Sequence, residues 1–234
     1  MSTYKIGFFG AGKMAEGILS AIADKKSVIM AEKVDARADE LVKKYGVTTT
    51  DDVKGVAETA QLIFLAVRPQ DMDAVAAEVK PLLTAKQTLV SIVAGKTLAK
   101  LRKAFGPKVN LIRVMPNLAL RANAGMCAIT APAKTPAKDV KAVEKILGGA
   151  GATAILKEKD FDAVTALSGS GPAYFAYMEE AMVEGGVSQF CTASALQMHP
   201  DAWVFCDAAA ASKLKLKTYY AWRGDEALKA ELAD

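Results

Sequence analysis

The alternation of apolar and polar positions divides the chain into short buried strands and amphipathic helices. Apolar runs of strand length lie at residues 4–9, 28–31, 47–49, 62–67, 88–93, 109–115, 126–130 and 152–156. Helical periodicity separates many of these runs, at residues 14–23, 35–45, 71–79 and 136–147. Apolar strands in alternation with helices are typical of a parallel sheet that is covered on both faces. We therefore predict a Rossmann-type, doubly wound α/β fold with a mostly parallel sheet.

The pattern changes to helix alone after residue 157. Residues 160–167 and 172–186 have helical patterns, and the sequence SGSG at 168–171 separates them. Glycines between two helices indicate close approach of the backbone either to a ligand or to another helix, and both interpretations stay open. We predict a dinucleotide-binding domain at residues 1–157 and a smaller, all-helical domain at residues 158–234.

The first strand leads directly into a glycine-rich turn, Gly10-x-Gly12-x-x-Ala15, which opens the first helix. In a dinucleotide fingerprint, the first glycine permits the tight turn, the second lets the backbone approach a pyrophosphate, and the third small residue allows close packing. The helix N-terminus also offers N–H groups and a partial positive charge to the phosphate. A glycine-rich turn without a ligand is the alternative, but the strand before and the helix after favour dinucleotide binding.

An acid follows the second strand, as the fingerprint requires. Glu32 lies about twenty residues beyond the glycines, where a carboxylate commonly binds the adenosine ribose 2′-hydroxyl. Such a carboxylate would repel a 2′-phosphate, whereas Lys33 or Arg37 would attract one. These residues alone leave open the choice between NAD and NADP, and a solvated turn is the alternative for Glu32 and Lys33.

Further polar or small residues follow other predicted strands. Arg68 and Gln70 follow residues 62–67, Ala94 and Gly95 follow the next run, and Asn117 follows residues 109–115. Ligands in open α/β sheets lie beyond the carboxyl ends of the strands. We therefore expect these residues at the cofactor, although Arg68 could equally be a surface charge.

The composition narrows the class of protein. The net charge of +4 over 234 residues is too small to indicate a nucleic-acid partner, and no apolar run reaches membrane-spanning length. Cys127, Cys191 and Cys206 are widely spaced and form no disulfide or metal motif, and the single histidine, His199, cannot anchor a metal cluster. We predict a cytoplasmic protein that has no metal site and no nucleic-acid or membrane partner.

Four motifs in series resemble the pyrroline-5-carboxylate reductase family, whose members catalyse the last step of proline synthesis. The motifs are IGFFGAGKMA at 6–15, LAVRPQ at 65–70, RVMPN at 113–117 and ALSGSGPAY at 166–174. The resemblance covers residues 4–189. It implies hydride transfer from NAD(P)H to C5 of 1-pyrroline-5-carboxylate, with NADP as the expected cofactor and NAD possible.

The fingerprint and the resemblance together assign the site. The cofactor-binding residues are expected to be Gly10, Gly12, Lys13, Met14, Glu32, Lys33, Ala66, Val67, Arg68, Pro69, Ala94, Gly95 and Asn117. The residues that border the substrate are expected to be Ser168, Gly169, Ser170 and Gly171, among which no proton donor is identified.

Two features depart from the family. The family usually follows Met-Pro-Asn with Thr-Pro, whereas this chain has Leu118 and Ala119, so that a hydroxyl near the nicotinamide is lost. The family also holds the substrate carboxylate with a Ser-Pro-Gly-Gly-Thr-Thr type loop in a long helical dimerisation domain. Residues 190–234 contain no such loop and instead predict an alanine-rich helix at 202–211, a strand at 213–217 and a short helix after residue 225.

The divergent tail indicates an abbreviated second domain, produced either by a shifted reading frame or by a replaced C-terminus. The family forms homo-oligomers, and we expect this tail to impair them and to leave substrate turnover weak or absent. A cofactor-binding protein without turnover is therefore one rival interpretation. Another is a different two-domain reductase with a helix-borne lysine, for which Lys157 and Lys159 are candidates.

Overall fold

The computed structural model describes residues 4–184 of the chain. The predictions for residues 190–234, and those for His199, Cys191 and Cys206, lie outside the described residues. Within residues 4–184, no helix has the length and apolar character needed to cross a membrane.

Eight strands in the described part of the chain form one sheet. They are β1 (Tyr4–Phe9), β2 (Val28–Ala31), β3 (Thr48–Thr50), β4 (Ala60–Leu65), β5 (Thr88–Ser91), β6 (Asn110–Pro116), β7 (Gly125–Thr130) and β8 (Gly151–Ile155). Their order is β3-β2-β1-β4-β5-β6-β7-β8, and every neighbouring pair is parallel except β6 and β7. The order reverses between β1 and β4, as in doubly wound dinucleotide-binding sheets. The predicted fold class is therefore confirmed.

Helices connect most of the strands. The α-helices are α1 (Lys13–Ala21), α2 (Asp35–Tyr45), α3 (Val53–Thr59), α4 (Met72–Val79), α5 (Leu98–Phe105), α6 (Ala137–Gly148), α7 (Phe161–Val164) and α8 (Gly171–Glu184). Short 3₁₀ helices span Lys25–Ser27, Leu118–Ala122 and Glu158–Asp160, and one π-helical turn spans Thr165–Gly169. Helix α5 has no counterpart among the predicted helices.

The core lies on both faces of the sheet, because successive side chains of a strand point to opposite faces. Phe8 packs in the cluster that includes Ile18 of α1, whereas its neighbour Phe9 packs with Val79 of α4. Phe8 also stacks on Phe64 of β4, with the ring centroids 5.0 Å apart. This double burial explains why the central strands consist of continuous apolar runs rather than an alternating pattern.

One strand differs in position from its prediction, in a way that matters for the site. The apolar run at residues 62–67 predicts a strand that ends at Val67, whereas β4 ends at Leu65. Ala66 still donates its N–H to the Phe9 carbonyl at 2.9 Å, and the chain then turns away from the sheet. Ala66 and Val67 consequently lie beside the turn that follows β1.

The chain groups into two compact units, which divide between Ser170 and Gly171. Residues 158–170 belong to the first unit, in which Phe161 is completely buried. Helix α8 begins the second unit and carries exposed aromatic side chains, among them Tyr174 and Phe175. The predicted domain boundary at residue 157 stays a prediction.

Candidate active site

The candidate site is built at the carboxyl ends of the parallel strands. In the pairing register, Phe9 of β1 lies beside Leu65 of β4, Leu65 beside Ser91 of β5, and Ser91 beside Arg113 of β6. Strand β6 continues beyond this line to Pro116 and pairs there with β7. The carboxyl ends of these strands therefore align at one edge of the sheet, beyond which ligands of open α/β sheets bind in a cleft, and the β6–β7 pair projects past this edge.

The turn after β1 is held tightly against the end of β4. Gly10 has a φ of +91°, and a Cβ added there would come within 2.8 Å of the Ala66 carbonyl oxygen. Its N–H donates to the Ala31 carbonyl at the end of β2, at 3.1 Å. Gly10 therefore satisfies both a backbone conformation and a close approach that other residues do not tolerate.

Gly12 differs from Gly10 because nothing among residues 4–184 requires a glycine there. Its φ of −65° and ψ of −179° are ordinary extended values, and a Cβ added to it would meet no heavy atom within 4 Å. Gly12 is also exposed and immediately precedes α1. The space beside it is thus open to a ligand, as the fingerprint predicts for a pyrophosphate.

The N-terminus of α1 adjoins this open space. Gly12 is its N-cap residue and has no side chain that could occupy the first backbone N–H groups of the helix. Lys13 is exposed and Met14 is half-buried in the first turn, where both were predicted to line the pyrophosphate. Ala15, the third small residue of the fingerprint, is buried. Backbone N–H groups at a helix N-terminus, next to an open glycine, are suited to an anionic phosphate.

The residues after β2 include Glu32, the acid that the fingerprint predicts at the ribose. Glu32 receives a hydrogen bond on Oε1 from the Val34 N–H at 3.0 Å, and its own N–H donates to the Thr50 carbonyl at 2.8 Å. Lys33 is exposed beside it. Arg37, which the sequence suggested for a 2′-phosphate, is instead largely buried and donates hydrogen bonds to Ala11, Glu16 and Glu40.

The loops after β4 and β5 supply the next predicted residues. Ala66 and Val67 approach Gly10, whereas Arg68 and Pro69 are exposed and Arg68 pairs with Asp71, Nε to Oδ2, at 2.8 Å. Ala94 and Gly95 are exposed as well. Residues 66–69 after β4 and residues 94–95 after β5 thus lie at the same edge of the sheet as Gly10.

Asn117 links the end of β6 to the segment that carries the SGSG sequence. Its Oδ1 accepts a hydrogen bond from the Met126 N–H at 3.1 Å, and its Nδ2 donates to Ser168 Oγ at 3.4 Å. The structure therefore brings Asn117 and Ser168 together, although they are far apart in the sequence. Both had been predicted as site residues for separate reasons.

The interruption between the two helices is shorter than the predicted SGSG sequence, because Ser168 and Gly169 are helical and only Ser170 is a bend. Residues Thr165–Gly169 form a π-helical turn, which the Ser170 N–H closes by donating to the Thr165 carbonyl at 2.9 Å. A side chain on Gly169 would collide with Met115, whose Cε would lie 2.5 Å from the added Cβ. Gly169 thus lies against the end of the Met115 side chain, which projects from β6, and π-turns of this kind are frequent at functional sites. Gly171 begins α8.

An ion pair that was not predicted from the sequence holds the chain at Glu158, ahead of the π-helical turn. Arg113 is buried, with 5% of its side chain exposed, and its Nη1 lies 3.0 Å from Glu158 Oε1. The same Oε1 accepts the Leu98 N–H at the start of α5, at 2.6 Å, and the Arg113 guanidinium lies over the Phe161 ring. Because a buried arginine needs a partner, Arg113 within the apolar run 109–115 indicated that an acidic partner exists. The sequence did not show that this partner is Glu158.

Arg113 and Met115 share one face of β6, since alternate residues of a strand point the same way, and Asn117 follows directly after the strand. Arg113 contacts Glu158, Met115 lies against Gly169, and Asn117 contacts Ser168. Strand β6 and Asn117 thus position residues 158–169 beside the cleft.

Comparison with known proteins is consistent with this geometry. Residues 5–95 match the family model described as NADP oxidoreductase, coenzyme F420-dependent, and residues 158–199 match the model described as pyrroline-5-carboxylate reductase dimerisation. The chain is 36% identical over 193 residues to the pyrroline-5-carboxylate reductase of Synechocystis sp., which covers 78% of this chain and 70% of that relative. The chain belongs to the pyrroline-5-carboxylate reductase family. The resemblance predicted from the four motifs is thereby confirmed.

Other pyrroline-5-carboxylate reductases extend the comparison. The enzyme of Methanosarcina acetivorans is 31% identical over 193 residues, covering 80% of this chain and 71% of that relative. A solved structure from Coxiella burnetii superposes with a TM-score of 0.72 at 25% identity, over 99% of this chain and 96% of that one. The Plasmodium falciparum enzyme, solved with NADP bound, shares the fold with a TM-score of 0.68 at 24% identity, over 98% and 96% of the two chains.

Proposed function

We propose that the chain is an NAD(P)H-dependent reductase that converts 1-pyrroline-5-carboxylate to proline. The observation that carries this proposal is the juxtaposition of an open fingerprint turn at Gly12 with the contact between Asn117 and Ser168. The first feature suits a dinucleotide, and the second joins two of the four motifs that resemble the family. Both belong to the first compact unit.

The residues present fit a nicotinamide dinucleotide. The space beside Gly12 is open where a side chain would otherwise project, and the N-terminus of α1 adjoins it. Gly10, Gly12, Lys13 and Met14 would hold the pyrophosphate, and Ala66, Val67, Arg68 and Pro69 the ribose next to the nicotinamide. Ala94, Gly95 and Asn117 would flank the ring. When bound, the reduced nicotinamide supplies the hydride.

The chain's own residues then have a limited task. A cyclic imine accepts a hydride best when its nitrogen is protonated, so the site has to orient the ring, hold its carboxylate and leave access to a proton. Ser168, Gly169, Ser170 and Gly171 would border the substrate. The π-turn and the contact of Asn117 with Ser168 would keep the first of these residues at the cleft.

For the cofactor phosphate we infer NADPH, with NADH also accepted. The match of residues 5–95 to a model of NADP oxidoreductases supports this choice. Since Arg37 is engaged elsewhere, the exposed Lys33 is the cation that would meet the 2′-phosphate. The carboxylate of Glu32 would repel the 2′-phosphate and accept a hydrogen bond from a free 2′-hydroxyl. We therefore expect NADH to bind as well as NADPH.

Replacement of Glu32 by Ser should therefore raise the affinity for NADPH relative to NADH. Removal of one carboxylate close to a 2′-phosphate relieves a repulsion worth about fivefold in the ratio of the two dissociation constants. Fluorescence titration with both dinucleotides measures the ratio, and Glu78→Ser, at an exposed acid on α4, is the matched control. An unchanged ratio in Glu32→Ser would show that Glu32 does not lie at the ribose.

A second candidate function is cofactor binding with impaired turnover. Residues 190–234 lack the family's substrate-carboxylate loop, and Leu118, where the family usually has Thr, is 56% exposed next to Asn117. The alternative of a reductase with a helix-borne lysine has less support, because Lys157 and Lys159 are exposed and lie at a 3₁₀ turn.

A homo-oligomer is also proposed, and the match of residues 158–199 to the dimerisation model supports it. Tyr174, Phe175 and Tyr177 of α8 are each more than half exposed, as is typical of a surface that binds a partner. The cytoplasmic location stays a prediction.

The proposed function is tested by imine-dependent oxidation of NADPH. Consumption of NADPH that requires 1-pyrroline-5-carboxylate, and yields an equal amount of proline, is the expected result. Binding of NADPH without any such consumption would favour the second candidate function, and no binding of either dinucleotide would exclude both.

A further inference from the structure

The side chain of Arg37 directs three of its five N–H donors to groups within the protein. From α2 its Nε donates to the Ala11 carbonyl at 3.0 Å, its Nη2 to Glu16 at 2.7 Å and its Nη1 to Glu40 at 2.6 Å. Only 14% of the side chain is exposed. Because a guanidinium is a rigid planar fork, these three bonds fix its orientation with respect to the fingerprint turn.

Glu16 on α1 anchors this arrangement. Its carboxylate also accepts hydrogen bonds from Lys44 Nζ at 2.9 Å and from the Tyr45 hydroxyl at 3.2 Å. Burial by itself would raise the pKa of Glu16, but the hydrogen bonds from Lys44, Arg37 and Tyr45 and the charge of Arg37 lower it to about 2. Glu16 is therefore ionised at every pH at which the enzyme would work, and its bond to Arg37 persists.

The Ala11 carbonyl is the link from Arg37 to the ligand side. Ala11 lies between Gly10 and Gly12 and is completely buried. Its carbonyl and the N–H of Gly12 belong to one planar trans peptide, in which the two groups point in opposite directions. A hydrogen bond that fixes the carbonyl towards Arg37 consequently fixes the Gly12 N–H away from Arg37.

We propose that Arg37 is a positioning residue of the dinucleotide site, which orients the Ala11–Gly12 peptide for the pyrophosphate and does not contact the adenosine 2′-phosphate. The inference rests on the proposed function, since it requires a dinucleotide at the fingerprint. It assigns the choice between NADH and NADPH to Glu32 and Lys33. Arg37 affects both cofactors equally, because both carry the same pyrophosphate.

The test compares Arg37→Lys with the wild-type chain. Lysine keeps the charge but cannot make three fixed bonds, so we expect the affinities for NADH and NADPH to fall together by about fivefold, with their ratio unchanged. Adenosine 2′-monophosphate carries the 2′-phosphate but no 5′-phosphate, so its affinity should stay the same. Arg121→Lys, at an exposed arginine in the 3₁₀ helix after β6, is the matched control.

Two further variants keep the test decisive if Arg37→Lys folds poorly. Glu16→Gln and Glu40→Gln each weaken one of the bonds that hold the guanidinium. Each should reduce the affinities for NADH and for NADPH by the same factor. A loss confined to NADPH and adenosine 2′-monophosphate would overturn the inference, and so would unchanged affinities in folded variants. If the wild-type chain bound neither dinucleotide, the proposed function itself would fail instead.

Discussion

Replacement of Gly12 by Val should reduce the affinity for NADPH by well over tenfold, equivalent to more than about 1.4 kcal/mol. The fold should be unaffected, because the backbone at Gly12 has ordinary dihedral angles and an added Cβ meets no protein atom within 4 Å. The side chain would instead occupy the space proposed for the pyrophosphate. Isothermal titration with NADPH measures the effect.

Gly148→Ala is the matched control, because its Cβ would also enter open space, but at the end of α6. It should leave dinucleotide affinity unchanged. Gly10 is a poorer test position, since its positive φ and the nearby Ala66 carbonyl would strain any substitution. A folded Gly12→Val protein that binds NADPH as tightly as the wild type would contradict the cofactor assignment.

The second large effect concerns turnover. The cofactor residues proposed here all precede residue 118, so the 234-residue chain should bind NADPH. Uncompensated loss of the contacts that hold a substrate carboxylate costs a few kcal/mol, so reduction of 1-pyrroline-5-carboxylate should be slower than in the Synechocystis relative by about a hundredfold or more. Dimerisation should be weakened as well. Parallel assays with the Synechocystis reductase and light scattering measure both properties.

A chimera identifies the cause. Joining residues 1–189 to the corresponding C-terminal part of the Synechocystis enzyme should restore both the rate and the dimer. Full reductase activity from a stable dimer of the unaltered chain would show that residues 190–234 supply a clamp of their own. An inactive chimera that still binds NADPH would place the defect before residue 190, with Leu118 as the first candidate.

Features with local causes could be predicted from the sequence. Phe8 and Phe64 lie in continuous apolar runs because their strands are buried on both faces, and such runs are visible without a structure. The glycines after β1 and the Gly46 that ends α2 in a left-handed conformation have equally local signals. The sheet and the position of the fingerprint therefore followed from the pattern.

Features that depend on distant partners could not be predicted. Glu16 belongs to the fingerprint helix, yet its partners Arg37 and Lys44 lie on α2. Glu158 meets Arg113 across 45 positions of the chain. The sequence shows that each of these residues is charged, but only the fold shows which charges pair. For this reason the sequence suggested Arg37 for a 2′-phosphate, whereas the structure pairs it with Glu16.

The central claim is hydride transfer to the cyclic imine at this cleft, and isotope transfer tests it most directly. NADPH that carries deuterium at the transferable position of C4 is incubated with 1-pyrroline-5-carboxylate and a high concentration of the chain, and the product is examined by mass spectrometry. The account predicts proline with one deuterium at C5, formed slowly by the wild type and much more slowly by Gly12→Val. Unlabelled proline, or no proline while NADPH is bound, would contradict it.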